Sequence, residues 1–194
     1  MSKEDRGSTL IEMMGVITIV GVLAAGAWLL ISSAMGKYRI SATMAQLHSL
    51  QKGITRFYAA DGNYNNLNMN DLIANRVPPV AMIHGDKLHH PFGDEVEIDK
   101  VSYSDISEYG SSSDSFTITF KGLKKKACAE LASISWVEHD SVNLVSIQVG
   151  NDKYEWPSFN DDSSAKLLPV TEAKAMTSCV SGNDNGVDIT WEFR

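Results

Sequence analysis

Residues Met13 to Ile31 read MMGVITIVGVLAAGAWLLI, nineteen in a row without a charge. As a helix this run is ~28 Å long at about 1.5 Å per residue, close to the ~30 Å hydrocarbon core of a bilayer. It is apolar on all sides, whereas a surface helix of a soluble domain keeps one polar face. The run therefore predicts a membrane span. A cleaved secretory signal fits less well: the stretch is too long for an h-region, and no small-x-small site leading into a loop comes after it.

The helical pattern does not stop where the charges begin. It continues through SSAMGKYRISATMAQLHSLQKGITRFYAA, and the first proline of the chain is Pro78. Beyond Lys37 the pattern becomes amphipathic. Ile40, Leu47 and Ile54 recur every seven residues, with Met44, Leu50 and Phe57 filling the same stripe. One helix from about Thr9 to Ala60 accounts for both halves and is ~78 Å long. Gly15, Gly21, Gly26 and Gly36 lie inside it. In water each costs ~1 kcal/mol relative to alanine; in membrane helices glycine is commoner and permits close packing and local unwinding. Lys3 and Arg6 precede the span while Lys37 and Arg39 follow it, so the positive-inside rule does not fix its orientation.

The 194-residue chain as a whole has a globular balance, 43% apolar and 21% charged. Acids outnumber bases 24 to 17, for a net charge of −7, so a nucleic-acid partner is not expected. Two cysteines are too few for a zinc tetrad or a disulfide-dense framework.

Upstream of the span the chain reads MSKEDRG-STLIEMMGV. A short charged segment ends in Gly7, Ser8 follows, and Glu12 stands at the edge of the apolar run, where a carboxylate must sit at headgroup level or be paired. This combination resembles the class III leader junction of type IV prepilins and related pseudopilins. The resemblance implies that a membrane prepilin peptidase cleaves after Gly7 and methylates the new amine of Ser8. It also implies that Glu12 neutralises a neighbouring subunit's amine when the helices bundle. An unpaired charge in low dielectric is penalised by several kcal/mol, so that pairing can set axial register.

The likeness extends into the rest of the chain. SFTITFKGLKKKACAELAS (Ser115 to Ser133), Cys179 and NDNGVDITWEF (Asn183 to Phe193) are similar to PilS-type type IVb pilins, in which a strand leads into a helix carrying the first cysteine and a Thr-Trp strand closes the chain. The leader is shorter than type IVb leaders usually are, and the proline that many type IVa pilins carry in the apolar helix is missing. Those departures leave type IVa, type IVb and pseudopilin open.

By resemblance, residues 1–7 form the leader, 8–60 a spine helix with its transmembrane segment at 13–31, and 61–194 a globular head. The precursor is expected in the inner membrane with its head in the periplasm. Once assembled, it is expected in an extracellular pilus for adhesion, aggregation or conjugation. Implied partners are further copies bundled through their N-terminal helices, the prepilin peptidase, an inner-membrane assembly platform, an ATPase and a secretin. With the head outside the cytoplasm, Cys128 and Cys179 are expected to pair. Their bridge closes a loop of about 52 residues, worth ~4 kcal/mol on the chain-entropy model.

The head reads as α+β. Asp61-Gly62-Asn63 stops the long helix, and a short helix is predicted over Asn70 to Arg76, capped by Asn70 and stopped by Pro78-Pro79. Alternation predicts strands at Phe116 to Phe120, Val187 to Phe193, Val142 to Val149 and, more weakly, Val96 to Tyr103. These form a half-buried antiparallel sheet whose inner face the stripe from Ile40 to Phe57 covers.

Enzyme signatures are missing: no Gly-x-Ser-x-Gly, phosphate-binding loop, His-Glu-x-x-His or dinucleotide fingerprint occurs. No cofactor or metal is expected. His84, His89 and His90 beside Asp86 and Asp94 read as a solvated cluster in a polar loop, and Asp161-Asp162 and Asp184-Asn185-Gly186 as incomplete calcium loops. Lys124 to Lys126 read as the exposed face of the Cys128 helix, and Ser111 to Ser113 as a loop. Two rivals stand beside the pilin reading: a minor pilin or type II secretion pseudopilin, and an uncleaved membrane-anchored periplasmic enzyme or receptor.

Overall fold

The structure, a computed structural model, describes residues 5–101, 115–134, 143–156, 166–180 and 186–194. One helix, α1, runs Asp5–Phe57, and no proline interrupts its hydrogen-bond ladder. The chain divides along it into two compact units, one ending at Arg39 and the other comprising Ile40–Arg194. In the first unit the described side chains of α1 from Ile11 onward are exposed, Ile11 at 75% and Trp28 at 73%. A Cβ at Gly15, Gly21, Gly26 or Gly36 would meet nothing within 4 Å.

In the second unit α1 turns amphipathic and buries one stripe. Met44, Leu47, Leu50 and Ile54 join the core, and Ile40 packs at its margin. The lower end of the stripe differs from expectation. Phe57 is 40% exposed, and Tyr58, at 5%, takes the inward place. The reason is the helical period: at about 100° per residue, Tyr58 follows Ile54 by four and stays on the stripe, while Phe57 falls on its flank. Tyr58 donates its hydroxyl to the Asn66 carbonyl at 3.1 Å, and burial raises its pKa. The chain turns away at Gly62, whose N–H reaches the Tyr58 carbonyl at 3.2 Å with φ +66°, a left-handed conformation that disfavours a side chain.

The short helix α2 spans Met69–Ala74. Its cap is Asn68, not Asn70: the Asn68 side chain accepts the Asn70 N–H at 3.0 Å, so Asn70 lies inside the first turn. At the other end Asn75 donates its N–H to the Asp71 carbonyl, and Arg76 adopts φ +54° before Pro78-Pro79. The helix therefore ends two residues before the predicted Arg76.

Among the described residues eight strands make one sheet: β1 (Ile83–His84), β2 (Lys87–His89), β3 (Glu95–Val101), β4 (Ser115–Leu123), β5 (Leu144–Val149), β6 (Asp152–Glu155), β7 (Lys166–Leu167) and β8 (Val187–Phe193). Their order is β1-β2-β3-β4-β8-β5-β6-β7. Neighbours are antiparallel except β6 and β7, which are parallel. The long strands lie where alternation places them; Val142, Ser102 and Tyr103 lie outside the described residues. Ile118 faces Ile98 on one side and Trp191 on the other, and one face of β4 and β8 is sealed by Phe116, Ile118, Phe120, Ile189, Trp191 and Phe193. An aromatic chain joins helix to sheet, with ring centroids 5.8 Å apart for Tyr58–Tyr64, 4.7 Å for Tyr64–Phe116 and 5.7 Å for Phe116–Phe193. Two further helices, α3 (Lys125–Ala132) and α4 (Glu172–Ser178), pack against each other.

Candidate assembly site

Gly7 and Ser8 lie in the backbone of the first turns of α1, with the Ser8 side chain outside the described residues. Glu12 is exposed one turn further on and makes no ion pair among the described residues. From Ile11 the helix is long and apolar enough to cross a membrane, with a mean hydropathy of 2.3 in its most apolar window, none of which is buried within the chain. A carboxylate beside such a surface is favourable only at headgroup level or with a cationic partner. The exposed helix and the carboxylate at its start form the candidate assembly site.

Within the second unit, Cys128 in α3 and Cys179, the residue after α4, are joined by a disulfide, with a Cα–Cα distance of 6.0 Å. It clasps the two helices where Ala127, Cys128, Ala129, Leu131 and Ala132 are buried. Lys124, Lys125 and Lys126 are exposed as expected, at the N-terminal end of α3, with Lys126 3.9 Å from Glu130 one turn on.

Of the histidines in the solvated cluster that the sequence suggests, His84 is exposed and His89 half-buried, but His90 is not solvated. His90 is 3% exposed and stacks on Phe120 with centroids 5.3 Å apart. Its Nε2–H donates to the Lys121 carbonyl at 2.8 Å, and its Nδ1 accepts the Phe92 N–H at 3.2 Å. A neutral ring with one donor and one acceptor satisfies both partners. Burial accordingly pushes the His90 pKa below the ordinary histidine value. No local sequence signal separates His90 from its neighbours, because β4 supplies both the carbonyl and the stacking ring.

Sequence alternation also leaves Glu192 on the polar face of β8, yet it is only 5% exposed. Ser115 and Ser146, from the strands on either side, donate their hydroxyls to its two oxygens at 3.0 and 2.9 Å, and Lys153 lies 3.8 Å away. At the far edge Tyr154 and Asp152 converge on the Ser178 hydroxyl at 2.7 and 2.5 Å, and Lys166 pairs with Asp152. The hydrogen bond from Lys166, followed by that from Ser178, lowers the Asp152 pKa. These polar contacts tie strands and α4 together. Among the described residues no three or more His, Cys, Asp or Glu side chains converge as a metal centre. Asp161, Asp162, Asp184, Asn185 and Ser111 to Ser113 lie outside the described residues.

A model of the bundlin family matches residues 32–194, and one of the prokaryotic N-terminal methylation motif matches residues 2–28. Sequence relatives include the toxin coregulated pilin of Vibrio cholerae serotype O1, 26% identical over 132 residues, and the major structural subunit of the bundle-forming pilus of Escherichia coli O111:H-, 23% identical over 179 residues. The first match covers 66% of this chain and 57% of the Vibrio protein's length; the second covers 91% and 89%. In fold the chain is similar to TcpA, a type IV pilin from the El Tor biotype of Vibrio cholerae, with a TM-score of 0.50 at 16% identity over 81% of this chain and 99% of that one.

A long N-terminal helix, a methylation motif at its start and an α+β sheet unit define the class of type IV pilins, structural proteins and not enzymes. The chain belongs to the bundlin family.

Proposed function

We propose that this chain is the precursor of a structural subunit of a type IV pilus. The observation that carries the proposal is the exposed apolar half of α1, which is not buried among the described residues and opens with Glu12. In lipid that surface is solvated; in a filament it packs against the same surface of other copies. Moving between the two gains little hydrophobic energy, so close packing at the glycines and a Glu12–amine pair supply register and specificity. Residues 1–7 act as a leader cut between Gly7 and Ser8 by a prepilin peptidase, and Ser8 is then methylated. Residues 8–60 act as the spine, spanning the inner membrane at 13–31 before assembly, and 61–194 form a head held in the periplasm and later displayed on the surface. An assembly platform, an ATPase and a secretin raise the subunits. The head's exposed surface carries adhesion, aggregation or contacts in conjugation.

The test is the intact mass of the chain expressed beside a prepilin peptidase. A product starting at methylated Ser8 supports the proposal; one starting at Met1 or Ser2 with the span retained overturns it. Glu12→Ala is expected to leave membrane insertion intact and to cut sheared-filament yield about tenfold, the equivalent of ~1.4 kcal/mol of lost pairing. Normal piliation in that variant would remove the register role.

A further inference from the structure

The β1–β2 hairpin carries two imidazoles that the fold leaves at its surface. His84 ends β1 and His89 ends β2; the pairing Ile83↔Leu88 and His84↔Lys87 puts both on the side of the sheet that Lys87 occupies. Their rings stand 5.2 Å apart between centroids, with planes at 85°. His89 Nδ1 lies 2.9 Å from the Gly93 carbonyl oxygen. A carbonyl only accepts, so that nitrogen carries the proton and Nε2 keeps its lone pair. His84 is exposed, and the tight turn at Gly85, φ +68°, holds the two strands that bear the pair. Glu95 sits directly opposite His89 on β3, its carboxylate 3.1 Å from Lys87 Nζ.

We propose that His84 and His89 form a two-imidazole chelating site for a divalent transition cation of the zinc type, with water filling the remaining positions. Two imidazoles bound through nitrogen at about 2.0–2.1 Å to one tetrahedral ion place their ring centres about 5 Å apart. The observed 5.2 Å matches that separation; the rings now meet edge to face, so the exposed His84 ring turns to bring its nitrogen to the ion. The carbonyl contact on Nδ1 is the outer-sphere bond that typically orients a ligating histidine and fixes its tautomer. Glu95 adds a negative charge beside the site, partly offset by Lys87. Imidazole is a good ligand for zinc, copper and nickel but a poor one for calcium or magnesium, which fixes the class of cation. The buried His90 takes no part, because both its ring nitrogens are already engaged.

The experiment is calorimetric titration of zinc chloride into the untagged full-length chain in detergent micelles, for the wild type, His84→Ala and His89→Ala. One ion per chain is expected, with affinity reduced at least about tenfold in each variant. His84 is exposed, so His84→Ala is expected to melt as the wild type does without metal, and it decides the matter even if His89→Ala folds poorly. No zinc uptake by the wild type, or unchanged uptake by His84→Ala, overturns the site and leaves a plain edge-to-face ring contact. Neither result bears on leader cleavage or filament assembly.

Discussion

Removing the Cys128–Cys179 bridge tests how the two small helices are held. The bridged cysteines are 51 residues apart in sequence, and both are buried, at 0% and 3% exposure. On the chain-entropy model a loop of that size removes about 14 cal/mol/K from the unfolded ensemble, or about 4 kcal/mol at 25 °C. Domains are stable by only about 5–15 kcal/mol, so the loss takes a large share of the margin. A double Cys128→Ala, Cys179→Ala variant keeps two small apolar side chains in the buried sites, which separates the cross-link from gross repacking. With a urea slope of about 2 kcal/mol per molar, the unfolding midpoint is expected to fall by about 2 M. Fluorescence of the buried Trp191 reports the transition, and reduction of the wild type should reproduce it. A midpoint shift below about 0.5 M would show that α3 and α4 are held by packing alone and would refute the cross-link argument.

His90 makes a prediction with a definite sign. Its native pKa lies below the ordinary value, so the unfolded chain binds the extra proton first as pH falls. Its stabilisation is full above about pH 6.5 and declines as pH drops from there towards the native value. Urea midpoints should fall over that window in the wild type and lose that component in His90→Gln; identical slopes would refute the assignment. Gly186 sits at φ +91°, and a Cβ there would lie 2.4 Å from the carbonyl carbon of Gly122. Gly186→Ala is expected to destabilise by about 3 kcal/mol, through left-handed strain and overpacking at the β4–β8 bulge. Thermal unfolding checks it, and a melting temperature within about 2 °C of wild type would mean that the bulge relaxes freely.

The parts of the fold legible in the sequence are those with enough residues to show a period. The apolar run and the stripe through Met44, Leu47 and Ile54 mark one helix, and Phe116 to Phe120 and Val187 to Phe193 mark strands that are indeed neighbours. The two-residue strands β1 and β7 and the seven-residue α4 are too short to carry a period, and tertiary contacts define them. Phe57 and Tyr58 were separable only by following the helical angle to its end. The proposed Gly7, Ser8 and Glu12 site rests on a spacing that is local in the sequence, and its role awaits the cleavage and piliation tests above. The burial of His90 and Glu192 was not legible, since their partners stand 31 residues away at Lys121 and 77 and 46 residues away at Ser115 and Ser146.

The position of β8 has a kinetic consequence. It lies between β4 and β5, although it is the last strand in the chain order. Until Val187–Phe193 arrive, the backbone of β4 is unpaired on that side, an open edge flanked by the apolar face of Phe116, Ile118 and Phe120. Contacts such as Thr119 to Thr190, 71 residues apart, make closure slow relative to local helix formation. Sheet completion is thus a late event in synthesis: a partly emerged chain has its helix but no finished core. During that interval the open edge is a site for strand-to-strand aggregation, and a factor that holds the nascent chain should raise the yield of native protein.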